Sequence, residues 1–264
     1  MHRARYDAAM ADRLRVATLN ILKLADRWDE RLPLLLADTA ALAPDLLGLQ
    51  EVVYVMQQDR ILGAAGPARY AEVRGWAGRP EYGNSLLVRE TLGVDGVDGV
   101  DRVDRLDLGL GRAAHRVVVT LPGRGRLLVA VAHLHHAVDG AAEREAQAAA
   151  LLAWLAEAPA TAAQLVMGDF NAGPHEPTYA RMVAAGFRSA HAEANGAEPE
   201  VTWPSGLQAP AMDTDGDPDC LDHIWVRGAV RVIAARLAWD RPAVGDPTLY
   251  PSDHVGIVAD LEVG

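Results

Sequence analysis

With 264 residues, 50% apolar and 23% charged, the chain has the composition of an ordinary globular protein and is long enough for one large α/β or all-β domain; wholesale disorder is excluded. No apolar run approaches the roughly 18 residues of a membrane helix, and a single cysteine, Cys220, excludes an internal disulfide framework or a multi-cysteine metal cluster. Lysine and arginine total 25 against 36 acids, and the resulting net charge of −11 opposes non-specific attraction to nucleic acid or an anionic membrane surface.

The chain reads as a single domain over residues 1–264 without an internal linker, with residues 1–13 as an N-terminal arm. The arm lacks the basic-then-apolar build of a secretory signal, so a cytoplasmic enzyme is expected. Arg15–Leu22 reads as a buried strand ending near Asn20. Trp28–Ala43 reads as an amphipathic helix closed by Pro44-Asp45, and Asp45–Val53 as a strand that delivers Gln50 and Glu51. Strands rich in valine and leucine are expected at Tyr70–Trp76, Gly83–Arg89, His115–Leu121 and Arg126–Leu134. Next come a helix at Ala141–Ala158, a strand at Gln164–Asp169 and a short helix at Thr178–Ala185, then strands at Leu221–Val226, Val230–Trp239 and His254–Val263. Many strands with few helices suggest two packed sheets with helices outside.

Two segments stand apart. Gly93–Leu108 repeats aspartate at 95, 98, 101, 104 and 107; a period of three suits neither a calcium loop nor a strand, and an expanded surface hairpin is expected. Residues 213–219 alternate acids like the start of an EF-hand loop, but the twelfth position is Ile224 where a glutamate is required, so the segment reads as a solvated acidic loop.

Polar residues cluster at the ends of the expected strands: Asn20; Gln50-Glu51; His133-Leu134; Gly168-Asp169-Phe170-Asn171; Leu221-Asp222-His223-Ile224; Ser252-Asp253-His254. Any one of them alone reads as a turn former or a rim histidine. In this order they resemble the endonuclease/exonuclease/phosphatase superfamily of metal-dependent phosphoesterases, with DNase I-like and exonuclease III-like nucleases among its members. The resemblance runs from Arg15 to Val263. It implies a four-layer α/β sandwich, two mixed β-sheets face to face with helices outside.

It also implies a site and a chemistry. Glu51 would be the principal ligand of Mg²⁺ or Mn²⁺, with Asn20 and Asp253 in or beside the same shell. Asp169 would orient or deprotonate the attacking water, and Asn171 and His133 would contact phosphate. Asp222 and His254 would form a carboxylate–imidazole pair. Asn84 in Tyr82-Gly83-Asn84-Ser85, Arg112 and Trp203 are further substrate-binding or supporting candidates. Asp169 and Asn171 are expected to share one face of an extended segment. The expected substrate is a phosphate ester, with a lean to nucleic acid; a nucleotide, small molecule or phospholipid is the alternative, and no protein partner is implied. A non-catalytic binding module and a zinc hydrolase built on His133, His135 and His136 are the competing readings; the latter has Ala137 where an aspartate is needed. His223, standing where a tyrosine is common, is expected to alter the pocket wall, and the acids of 213–219 to line the cleft.

Overall fold

The described residues of this computed structural model are 13–94, 103–210, 212 and 215–264. In chain order the elements are β1 (Arg13–Asn20), α1 (Trp28–Leu42), β2 (Leu46–Val53), α2 (Gln58–Gly63), β3 (Tyr70–Gly75), β4 (Tyr82–Arg89), β5 (Gly93–Val94), β6 (Asp104–Gly109), β7 (Arg112–Leu121), β8 (Gly125–His133) and α3 (Ala141–Ala156). They continue with β9 (Ala163–Asp169), α4 (Pro177–Ala184), β10 (Arg188–Ser189), α5 (Ala190–Asn195), β11 (Asp222–Gly228), β12 (Val230–Ala238) and β13 (Gly256–Val263). Residues 1–12 of the expected arm, and Asp95, Asp98, Asp101 and Asp213 of the two acidic segments, lie outside the described residues.

Strands that are apolar on both faces determine the architecture, because each face must be covered. In β8, Leu127, Val129 and Val131 pack between the two sheets, while Leu128, Ala130 and Ala132 pack under Leu151 and Leu155 of α3. The other sheet repeats the arrangement: Val16 and Leu46 face the inter-sheet core, and Ala17, Leu19, Leu47 and Leu49 meet Leu35 and Leu42 of α1. Three apolar layers thus separate helices, sheet, sheet and helices, the expected sandwich.

The first sheet is six-stranded in the order β12-β13-β1-β2-β4-β3, and the second seven-stranded in the order β10-β11-β9-β8-β7-β5 with β6 added on β7. Each sheet holds one parallel pair, β1–β2 and β8–β9, and the rest is antiparallel. The parallel pairs send Asn20 and Gln50, and His133 and Asp169, to the carboxyl ends of neighbouring strands. Asp222 opens antiparallel β11 opposite Asp169, so it meets them at the same edge. Ligand sites of α/β sheets form at such edges.

The sheets approach closely behind this edge. A Cβ on Gly48 of β2 would lie 2.7 Å from Met167 Sδ in the opposite sheet. On β9, Gly168 has φ 145°, and a Cβ there would lie 1.9 Å from the Ala132 carbonyl oxygen. That contact with fixed backbone explains why the residue before Asp169 is glycine. Gly168→Ala is accordingly expected to destabilise the protein by about 2 kcal/mol or more. Urea unfolding checks this, and an unchanged midpoint would contradict it.

Candidate active site

Asp169 is the centre of the site. It is 1% exposed, and four groups converge on it. Asn20 Nδ2 donates to Oδ2 at 3.0 Å, and the Asn171 backbone N–H donates to Oδ1 at 2.9 Å. His133 Nε2 lies 3.3 Å and His254 Nε2 3.7 Å from Oδ2. Burial opposes the charge, but the two imidazoles and the Asn20 hydrogen bond outweigh it and hold the carboxyl well below the usual carboxylate range.

His254 and Asp222 form the expected pair, with Nδ1 2.8 Å from Asp222 Oδ2. Nδ1 therefore carries the proton shared with the carboxylate, and Nε2 is turned toward Asp169. Burial disfavours the imidazolium, yet Asp222, Asp169 and Asp253 raise the pKa of His254 well above that of a free histidine. Burial pushes the Asp222 carboxyl up and His254 pulls against it. Asp222 is itself held by Thr202, whose Oγ1 accepts the backbone N–H groups of Leu221 at 2.9 Å and Asp222 at 3.1 Å. Asp253 and His254 precede β13 rather than opening it, because the strand begins at Gly256.

Glu51 reaches the cleft through local strain. The β2–β4 register shifts between Leu49 and Val52, and Glu51 adopts φ 61°, a left-handed conformation costly for a residue with a Cβ. Its Oε2 is buried and accepts no hydrogen bond, while Lys23 Nζ stands 3.7 Å away. Asp253 lies nearby: burial raises its pKa, His254 lowers it, and the charge of Glu51 raises it further. Trp203 Nε1 donates to Asp253 Oδ2 at 3.3 Å, and Ser252 Oγ bonds both Asp253 Oδ1 at 3.1 Å and the Asn20 carbonyl at 2.6 Å. Two neighbouring carboxylates with an orphaned oxygen, made only of hard donors, fit a small divalent cation.

The cleft around these groups measures about 930 Å³, and Asn20, Glu51, Asn84, Arg112, His133, Asp169, Asn171, Trp203, Asp253 and His254 all line it. Asn84 is fixed by a 2.9 Å bond from Nδ2 to the Ala113 carbonyl. Arg112 Nη1 lies 2.7 Å from His133 Nε2, so this arginine braces an imidazole. Asp222 does not line the wall; it acts from behind through His254. The acids Asp215, Asp217 and Asp219 line one side as expected, and Lys23, Arg79 and Arg112 also line the cleft.

Two further expectations are corrected, and the competing zinc reading falls. Asp169 and Asn171 do not share a face of a strand: β9 ends at Asp169, and Asn171 turns to φ 48°, where its Nδ2 bonds the Leu134 carbonyl at 3.1 Å. His223 does not border the cleft, because it alternates with Asp222 on β11 and points to the opposite face, where Nε2 bonds the Ala172 carbonyl at 3.0 Å. β8 stops at His133, so His135 leaves its face, and no metal-ligand group of His133, His135 and His136 forms among the described residues.

Some supporting residues escaped sequence reasoning. Tyr82 lines the cleft beside Glu51, and burial and the Glu51 charge push its phenol pKa up. Arg31, fully buried, donates to the carbonyls of Ile21, Leu22, Ala25, Asp26 and Pro251, clamping the loop after β1 to the segment before Asp253. On α3, Gln147 accepts the His135 N–H at 2.8 Å and Arg144 donates to the Ala137 carbonyl at 2.6 Å, fixing the loop after His133. Polar residues in the buried stripe of an amphipathic helix were the available signal.

A family model described as the endonuclease/exonuclease/phosphatase family matches residues 17–254. No curated protein matches significantly. Solved structures share the fold. An endonuclease/exonuclease/phosphatase from Bacteroides vulgatus is 21% identical, with a TM-score of 0.74 and coverage of 96% of this chain and 99% of that one. D. rerio TDP2, complexed with a single-strand DNA product, is 20% identical with a TM-score of 0.74, covering 94% and 98% respectively. The human Nocturnin catalytic domain, with a bound sulfate anion, is 23% identical with a TM-score of 0.73, covering 96% and 94%. With the family match extending over nearly its whole length, this chain belongs to the endonuclease/exonuclease/phosphatase family of phosphoesterases.

Proposed function

We propose that the protein hydrolyses a phosphate ester by in-line attack of water, with Mg²⁺ or Mn²⁺ held by Glu51 and Asp253 and with Asn20 beside them. The observation that carries this reading is the convergence of Asn20, Asn171, His133 and His254 on one buried carboxylate, Asp169, in the same cleft as the orphaned oxygen of Glu51. When bound, the ion neutralises charge on the phosphoryl oxygens and on the leaving oxygen.

The chain's own groups do the rest. Asp169 orients the attacking water and takes up its proton. Asn171 spends one amide hydrogen on Leu134 and keeps the second for a phosphoryl oxygen. His133, braced by Arg112, donates to a phosphoryl oxygen as charge grows there in the pentacovalent transition state. Asp222 fixes the ring of His254 so that Nε2 faces the reacting group.

The nuclease reading is supported by the single-strand DNA product bound to the similar D. rerio TDP2. A second reading, a short or small-molecule phosphate ester, is favoured by Asp215, Asp217 and Asp219, which repel a long polyanion along one side of the cleft.

After metal stripping, hydrolysis of bis-p-nitrophenyl phosphate, p-nitrophenyl phosphate, plasmid and single-stranded DNA, RNA, nucleotides and a phospholipid is measured with each metal. Turnover is expected only with Mg²⁺ or Mn²⁺, and His254→Ala is expected to lower it by roughly 10²–10⁴. Metal-independent turnover, or wild-type rates in Asp169→Asn, would contradict the assignment. Plasmid cleavage at rates matching nucleotides would remove the small-ester reading. Asp222→Asn preserves shape but withdraws the charge behind His254. It is expected to lower kcat about 10-fold or more with a smaller change in KM, and a change in KM alone would contradict that role.

A further inference from the structure

On the face of β11 turned away from the cleft, Glu198, Cys220 and His223 come together from the segment after α5, the segment before β11 and β11 itself. One ligand atom from each lies within 4.8 Å of the others. None of the three lines the catalytic cleft. We infer that these residues form a second cation site, distinct from the phosphoesterase centre and selective for a borderline-soft divalent ion such as Zn²⁺.

The hydrogen bonding carries the argument. His223 is 1% exposed, and its Nε2–H donates to the Ala172 carbonyl at 3.0 Å. A carbonyl accepts only, so in the neutral ring this bond leaves Nδ1 as the free lone pair. Nδ1 has no hydrogen-bond partner and faces Glu198 Oε1 at 3.7 Å. Glu198 is nearly as deep, its side chain 5% exposed. Tyr179 donates to its Oε1 at 2.8 Å, and Oε2 accepts nothing. With the ring neutral, two buried acceptors oppose one another, which costs free energy until a proton or a cation joins them.

The third corner selects the cation. Cys220 is buried, the only cysteine of the chain, and its thiol makes just a long 3.7 Å bond to the Asp222 carbonyl. Burial, then Glu198, Asp222 and Asp219, push the free thiol's pKa far up, so without a cation the sulfur stays protonated. Coordination replaces S–H by S–metal, the proton leaves to solvent, and no redox change is involved. A thiolate, an imidazole and a carboxylate suit Zn²⁺ and exclude Mg²⁺, which wants only oxygen. Residues 195–197, which precede Glu198, are exposed. Because His223 grips Ala172, an ion here would also stiffen the segment that carries Asp169 and Asn171.

The test titrates the metal-stripped full chain with Co²⁺ as the spectroscopic stand-in for Zn²⁺. A thiolate-to-cobalt charge-transfer band is expected, displaced by Zn²⁺ and not by Mg²⁺. It should vanish in Cys220→Ser and persist in Glu51→Gln, which separates this site from the catalytic one. Glu198→Gln keeps the side chain's size and the Tyr179 bond, and it is expected to weaken Co²⁺ binding about 10-fold or more. No charge-transfer band at saturating Co²⁺ would overturn the site, leaving a proton shared between His223 and Glu198. A band unaltered in Glu198→Gln, or lost in Glu51→Gln, would overturn the ligand assignment.

Discussion

Asp169 carries a full negative charge with almost no access to water, and this constraint organises the molecule around it. An isolated buried carboxylate costs several kcal/mol unless paired and hydrogen-bonded. Here the compensation comes from both sheets: Asn20 from the end of β1, His133 from the end of β8, the Asn171 N–H from the following turn, and His254 from the segment before β13. Only strands packed face to face at the registers observed bring those groups to one point. The charge of Asp169 is therefore also a cross-link between the two halves of the sandwich.

The same edge concentrates further anions. Asp222 and Asp253 act on His254, Glu51 acts on Asp253, and Glu51 holds a left-handed backbone conformation to bring its carboxylate there. Such crowding is unfavourable in the free protein, and a divalent cation and a phosphate together would relieve it. Around it, Arg31, Thr202, Ser252, Arg144 and Gln147 bind backbone or carboxylate atoms and keep the strand ends from relaxing. A phosphoesterase needs this rigidity, because its catalysis rests on positioning and electrostatics.

Much of this was legible in the sequence where local pattern and chemistry coincide. Many strands with few helices announced two packed sheets with helices outside, and polar residues at successive strand ends announced the site. What escaped depends on contacts distant in sequence. Asn171 leaves the strand because its amide is drawn to Leu134 in the neighbouring segment. The direction of His223 followed from simple alternation with Asp222, yet its partners, Glu198 and Ala172, lie far along the chain. The short elements α2, β5, β10 and α5 have too few residues for any periodicity to emerge. Arg31, a charged residue in an apolar helix face, gave no hint that it would collect the carbonyls of two separate loops.

The proposed cation would be held by the carboxylates of Glu51 and Asp253 beside Asp169. A crystal soaked in Mn²⁺ and measured at the manganese absorption edge addresses this directly. An anomalous difference peak is expected within roughly 2.0–2.3 Å of a Glu51 carboxylate oxygen, with Asp253 alongside. Saturating Mn²⁺ that leaves Glu51 bare, or that binds only elsewhere in the molecule, would contradict it.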